Sequence, residues 1–343
     1  MMPSTGNADF AFDDLGVMSL TRCEAPIVVT SAEIDERLAP LYERLGTRPG
    51  LLESVAGIIE RRYWPEDVSF TDAAAMAGRR ALEESGVPTS RIGLVIDTSV
   101  CRKFLEPSST VAVHAELDLP PTCINFDLSN ACLGFLNGIQ VAGAMIASGV
   151  VEYALIVDGE GSRELHENTI RRLLADDATT EDLFASFASL TLGSGATAAV
   201  LGPHSAHPGS HRVLGGFFRA DTVHHELCVG SLDGMRTDTA ALLEAATKLA
   251  STCWSEIGHE HWRDQIDHYI LHQVSKVHTQ AIVTALDLPA DRIPTTFPMF
   301  GNIGPSSIPF TLASIADDIA PGERVLCMGI GSGLNVATIE LIW

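Results

Sequence analysis

Apolar residues in this chain recur at two spacings, and the alternation between them predicts its elements. After Cys132 they fall at Leu133, Leu136, Ile139, Ala142 and Ile146. That three-or-four spacing makes one helical face, and Gly149 suits the end of the helix. Thr71–Ser85 is Ala-rich and amphipathic and reads as a helix. So do Ile34–Leu45, Ser109–Leu117, Ala240–Thr252, His278–Leu286 and Ser306–Ile315. Continuous apolar character marks Arg91–Asp97, Tyr153–Val157, His268–Leu271 and Val325–Met328 as buried strands. Thr191–Gly202 is small, apolar and β-like. Residues 163–190 are charged and helical, a peripheral insertion or cap.

The order of these elements repeats. Leu117-Asp118-Leu119-Pro120 recurs as Leu286-Asp287-Leu288-Pro289, and about a dozen residues after each copy stands Asn130-Ala131-Cys132 or Gly301-Asn302-Ile303. Glu152–Asp158 lines up with Glu323–Gly329 in the same way. Matches in one order at a nearly constant offset predict a duplicated αβ unit, each half a sheet flanked by helices. The halves are placed at 1–202, with the cap at 163–190, and at 203–343. So long a period excludes a solenoid.

Composition narrows the function classes. The chain has 343 residues, is 46% hydrophobic and carries a formal net charge of −22. It is long enough for a large core. A surface so acidic repels nucleic acid and anionic membrane, so neither is expected as a partner. No apolar run reaches the ~18 residues of a spanning helix, and Met1–Gly16 lacks the basic start of a signal peptide. The seven cysteines are odd in number and include no CxxC pair, which points to a reducing cytoplasm. A greasy substrate would need an internal pocket.

The chemistry centres on Cys132. In the first turn of its helix, unpaired N–H groups and the positive dipole end would favour a thiolate, and the same amides could stabilise an oxyanion. A buried, inert cysteine explains the segment equally well. His272, directly after Tyr269-Ile270-Leu271, and Asn302, in Phe300-Gly301-Asn302-Ile303-Gly304-Pro305, stand at corresponding places in the fold. Ligands in such sheets bind beyond the carboxyl ends of strands, although a lone histidine there is commonly structural. Arg61 and Arg62 could hold a phosphate-bearing ligand or form a solvated edge. Gly329-Ile330-Gly331-Ser332-Gly333 resembles a dinucleotide turn, but no acidic residue follows at the required distance, which excludes nicotinamide binding. As a glycine loop it lets backbone approach a ligand, with the Ser332 amide a second oxyanion donor beside that of Cys132. No HExxH or Cys/His cluster suggests zinc; His224-His225 and His259-Glu260-His261 read as surface.

NACLGF (130–135), HQVS (272–275), FGNIGPSSIP (300–309) and GIGSGLN (329–335) resemble the thiolase-superfamily condensing enzymes of the ketoacyl synthase III branch. LEPSS (105–109), VDGE (157–160) and GIGSGLN are most similar to its OleA-type members, which join two long-chain acyl-CoA molecules head to head. The resemblance covers essentially the whole chain. It implies a five-layer αβαβα fold of two duplicated halves, a homodimer, and a β-keto acid product for olefin or β-lactone pathways. It implies no cofactor, CoA being part of the substrate. Carried over, Cys132 becomes the acylated nucleophile, and His272 and Asn302 the pair that stabilises the second substrate's enolate. Glu106 becomes the base that removes the α-proton, reaching across the dimer interface. Ser275 replaces the family's asparagine, and Val277 stands where that branch places a phosphate-contacting arginine. Both departures fit a different second substrate. Two other readings remain: a malonyl-carrier-protein-using synthase III, and an inactive partner subunit that sets chain length.

Overall fold

The computed structural model describes residues 9–231, 234–256, 262 and 265–343. At its centre is a 10-stranded sheet. Its path runs His268–Leu271, Arg324–Gly331, Asn335–Ile342, His211–Ala220, Gly16–Glu24, Gly195–Gly202, Tyr153–Glu160, Ile92–Asp97 and Ile124–Asp127, with Asp9–Ala11 paired to His211–Ala220. On one side Ile92–Asp97 and Tyr153–Glu160 are parallel, and Gly195–Gly202 and then Gly16–Glu24 follow antiparallel. On the other side His268–Leu271 and Arg324–Gly331 are parallel, and Asn335–Ile342 and then His211–Ala220 follow antiparallel. The two sets share one order and meet where Gly16 and Val17 run antiparallel to Arg212 and His211. Duplication inferred from the repeated Leu-Asp-Leu-Pro signal is thus a duplication of sheet topology.

Side-chain alternation stacks the layers. Leu94, Ile96 and Ile156 face inward with Ile270, Cys327 and Ile339, around the helices Gly134–Ala147 and Ser307–Ser314. Val95, Leu155 and Val157 face outward onto the helices Phe70–Ser85 and Ser109–Glu116. Tyr269, Leu271 and Leu326 pack on Thr239–Glu256 and Lys276–Leu286. The result is helix, sheet, helix, sheet, helix. Strands with both faces covered in this way must be apolar throughout, which is why their runs were readable.

Local chemistry explains the helix bounds. Phe70–Ser85 starts at a Ser69/Asp72 capping box and stops at Gly86, whose φ is 65°. Its alanine face lies so close to Tyr153–Glu160 that a Cβ on Gly159 would stand 2.0 Å from the Phe70 carbonyl oxygen. The expected single helix Ile34–Leu45 is instead two, Ser31–Arg37 and Ala39–Leu45. Pro40 lacks an amide hydrogen and occupies the first turn of the second. Residues 163–190 form the helices Arg163–Leu173 and Thr180–Leu190, which pack on that pair through Ile170, Leu173 and Leu183. Gly329–Gly331 belongs to a strand and not to a loop, and only a tight turn separates it from Asn335–Ile342. The hairpin Cys228–Ser231/Gly234–Thr237 was not anticipated.

Candidate active site

Cys132 sits on a tight elbow between the edge strand Ile124–Asp127 and the helix Gly134–Ala147. Ala131 before it holds φ 45°, a left-handed conformation costly for a residue with a Cβ. The Leu133 and Gly134 amides donate to the carbonyls of Asn130 and Ala131, which closes the turn. The cysteine therefore precedes the helix by two residues, a correction to its expected place in the first turn. Asn130 braces the elbow, donating to Asn137 at 2.7 Å and accepting from Asn335 at 3.2 Å.

The strand Arg324–Gly331 brings the other parts to this elbow. A Cβ on Gly329 would lie 2.5 Å from Leu133 Cδ2, 3.0 Å from Ile308 Cδ1 and 3.8 Å from His272 Cβ. One on Gly331 would lie 3.5 Å from the Cys132 nitrogen. Gly329 is thus the point where the cysteine elbow, the His272 segment and the helix after Asn302 meet, and Ser332 follows Gly331 beside the elbow. The His272 amide donates to the Met328 carbonyl at 2.8 Å. Asn302 is strapped from behind: its amide donates to Thr191, and its carbonyl accepts from Gly193 at 2.8 Å. Its side-chain oxygen accepts from the Gly304 amide at 2.9 Å and from Ser307, which turns the NH₂ end away from that loop.

The electrostatics differ from the expectation. Cys132 keeps some exposed surface, yet protein encloses it closely enough that loss of water pushes its thiol up to about 12. Cys228 and the carboxylates of Glu160 and Asp158 add to that shift. At rest Cys132 is a neutral thiol, because burial outweighs the pull of the helix dipole. His272 is buried and held down to about 3, first by burial and then by neighbouring His278. Neither ring nitrogen has a hydrogen-bond partner among the described residues. A structural histidine would be satisfied; this one is a neutral imidazole with both nitrogens free for a ligand. It lines an apolar cavity of about 40 Å³ with His278, Trp254, Ile282 and Met328.

Three site expectations fare differently. Glu106 lies in the exposed loop between Asp97 and Ser109 and makes no hydrogen bond or ion pair with the other described residues. Arg61 is fully buried, with a guanidinium that donates to Ser31 and to the Leu190 carbonyl. Arg62 pairs with Glu60 at 2.6 Å and lies over the Phe300 ring. Arg61, inside the core, therefore has no access to a CoA phosphate, while Arg62 is half-buried and already holds Glu60. Among the described residues no His, Cys, Asp or Glu cluster fits a metal, and no helix is long and apolar enough to cross a membrane. His259, Glu260 and His261 lie outside the described residues.

Sequence reasoning missed the buried carboxylates Asp97, Asp158 and Glu160. Burial raises all three: Asp97 to about 6, Glu160 to about 7, and Asp158 well above the carboxylate range, with Glu160's charge adding to it. Two acids inside an otherwise apolar strand, Val157-Asp158-Gly159-Glu160, were the available signal.

Family models for 3-oxoacyl-[acyl-carrier-protein] synthase III match residues 126–222, and for its C-terminal part residues 260–343. An acyl-CoA:acyl-CoA alkyltransferase of Xanthomonas campestris is 40% identical over 97% of this chain and 99% of its own. A crystal structure of Xanthomonas campestris OleA with bound lauric acid and lauroyl-CoA superposes with a TM-score of 0.94 at 39% identity, covering 97% of this chain and 100% of that one. A 3-oxoacyl-(acyl carrier protein) synthase III structure from Xanthomonas oryzae gives the same TM-score, 0.94, at 39% identity, again over 97% and 100%.

Proposed function

The chain belongs to the OleA-type acyl-CoA:acyl-CoA alkyltransferases of the 3-oxoacyl-[acyl-carrier-protein] synthase III family, in the thiolase superfamily, and is an acyltransferase; from that premise we propose that it joins two long-chain acyl-CoA molecules by a non-decarboxylative Claisen condensation. The observation that carries the reading is the free, neutral His272 beside the Cys132 elbow, in a chain 40% identical to an alkyltransferase of that name.

The steps follow from the residues. Cys132 attacks the first thioester, loses its proton as it does so, and CoA leaves as a thiol. Because the resting thiol is neutral, its proton has to pass to the departing CoA sulfur, and His272, whose ring nitrogens have no partner among the described residues, could relay it without resting as an imidazolium. The amides of Cys132 and Ser332 would hold the tetrahedral oxyanion. The second acyl-CoA then loses an α-proton to Glu106. Its enolate oxygen is stabilised by His272 and the Asn302 NH₂, and its carbon attacks the Cys132 thioester. Hydrolysis of the resulting β-ketoacyl thioester gives a 2-alkyl-3-keto acid, the material of an olefin or β-lactone pathway whose enzymes would be downstream partners. The steps use no cofactor, and the acyl-CoA supply and free thiols suit the cytoplasm.

Glu106 would act in a partner's site. Its loop presents Phe104, 59% exposed, and Leu105, 97% exposed, near the edge strand Ile124–Asp127. So apolar a tip beside an open sheet edge is suited to cover by a second copy, which supports reading the protein as a homodimer with exchanged glutamates.

The synthase III name borne by one similar structure keeps malonyl-carrier protein as the second reading. Incubation with one pure long-chain acyl-CoA separates the two. A product with the mass of two acyl chains joined, formed without malonyl-carrier protein, supports the proposal. Product only when malonyl-carrier protein is present refutes it.

A further inference from the structure

Asp97, Asp158 and Glu160 are 2%, 0% and 6% exposed, and the condensation chemistry above uses none of them. They lace the start of loop 98–108 onto the end of the strand Tyr153–Glu160. Thr98 Oγ1 donates to Asp158 Oδ2 at 2.7 Å, the Gly159 amide to Ser99 Oγ at 2.8 Å, and the Val100 amide to Glu160 Oε1 at 2.6 Å. The Gly161 amide donates to Cys101 Sγ at 3.4 Å. Beyond these rungs the chain leaves the sheet towards Phe104, Leu105 and Glu106.

Asp158 and Glu160 also touch the Asn302 loop. Ser306 Oγ donates to Asp158 Oδ1 at 2.5 Å. The Glu160 carboxyl carbon lies 3.5 Å from where a Cβ on Gly304 would stand, and the Gly304 amide in turn fixes Asn302. Glu160 therefore stands between the root of the Glu106 loop and the loop that carries Asn302.

We infer that Glu160 is a positioning residue of the condensation step, holding the root of the Glu106 loop through the Val100 amide and packing it against the Asn302 loop. This rests on the role of Glu106 proposed above. An ionised carboxylate accepts an N–H bond more strongly than a protonated one. The ionisable groups around Glu160 are Asp97, Asp158, Cys101 and the Cys132 thiol. None of them supplies positive charge, so Glu160 takes up its proton readily as the medium becomes acid. Condensation then gains, through the Glu106 loop, a dependence on pH near neutrality that is separate from the effect of Glu160's charge on the Cys132 thiol.

Two variants test this. Glu160→Gln keeps the length and an oxygen for the Val100 amide but has no charge; Glu160→Ala has neither. Three readouts are needed: amide hydrogen exchange over residues 98–108, mass of the acyl-enzyme, and condensed product from acyl-CoA alone between pH 6 and 9. In Glu160→Ala, exchange at Val100 should be at least tenfold faster and condensation at least tenfold slower, with Cys132 still acylated. In Glu160→Gln, Val100 should stay protected while the rise of condensation through neutral pH flattens. A wild-type pH profile in Glu160→Gln overturns the inference, and decides the matter alone if Glu160→Ala fails to fold. Unchanged Val100 exchange in a folded Glu160→Ala also overturns it. If the wild-type protein makes no product from acyl-CoA, the proposed function falls, and the exchange comparison still decides whether Glu160 anchors the loop.

Discussion

At the scale of single residues, the resting site is neutral: a thiol pushed up to about 12 beside an imidazole held near 3. Alkylation of free Cys132 by iodoacetamide should therefore keep rising to pH 9 without a plateau, with no inflection near the ordinary histidine value. A plateau by pH 8 would mean that the dipole does dominate. Acyl-CoA should add mass to Cys132 and to no other cysteine, and Cys132→Ala should remove the adduct while leaving the fold intact. Glu106→Gln should still release one CoA and acylate Cys132 but lose about 10²–10⁴-fold in condensation, the usual cost of a missing general base. Mixed dimers of Glu106→Gln and Cys132→Ala subunits should regain activity, because one site combines an intact cysteine with its neighbour's intact glutamate. Full condensation by the Glu106→Gln homodimer would remove the base role.

At the scale of elements, the site depends on backbones that approach without side chains between them. Gly329 touches Leu133, Ile308 and the His272 segment at once. Gly329→Ala should overpack that junction, cost about 1–3 kcal/mol and slow acylation by shifting Leu133 and hence Cys132. Gly331→Ala meets its neighbours at 3.2 and 3.5 Å and should lose less on both counts. Thermal melts and the rate of acyl-enzyme formation check the order; equal effects would mean that the strand end does not position the elbow. The glycines were visible in the sequence as a loop. Their use as a contact surface was not, because it depends on what the other half of the chain lays against them.

At the scale of the molecule, buried ionisable groups and an exposed apolar loop set the remaining behaviour. Glu160 is raised in the fold, so the native state holds a proton there that the unfolded chain releases. That stabilisation is present below the ordinary carboxylate range and is lost as pH rises through about 7. Glu160→Gln avoids the ionisation and should raise the melting temperature relative to wild type more at pH 8 than at pH 5. His166, His272 and His278, held down to about 3, 3 and 4, have the opposite sign. Their contribution is present above about 6.5 and lost as pH falls towards those values. For association, Leu105→Asp should shift the dimer expected at micromolar concentration towards monomer in sedimentation, since it places a charge on the most exposed apolar residue of the loop. A wild-type monomer under those conditions would argue against exchanged glutamates.

The αβ repeat, the buried strands and most helix bounds were legible in the sequence, because they rest on apolar spacing and local capping. The place of Cys132, His272 and Asn302 at strand ends and helix starts could be read in the same way. The seam strands Gly16–Glu24 and His211–Ala220 could not, since their partners lie far along the chain and their own pattern is weak. Tertiary structure alone decided the charge states. Burial took water from the Cys132 thiol and overrode the helix dipole, left His272 neutral and unpartnered, and turned Arg61 from a surface cation into a core donor. Desolvation depends on everything packed around a group, and no local stretch of sequence carries that information.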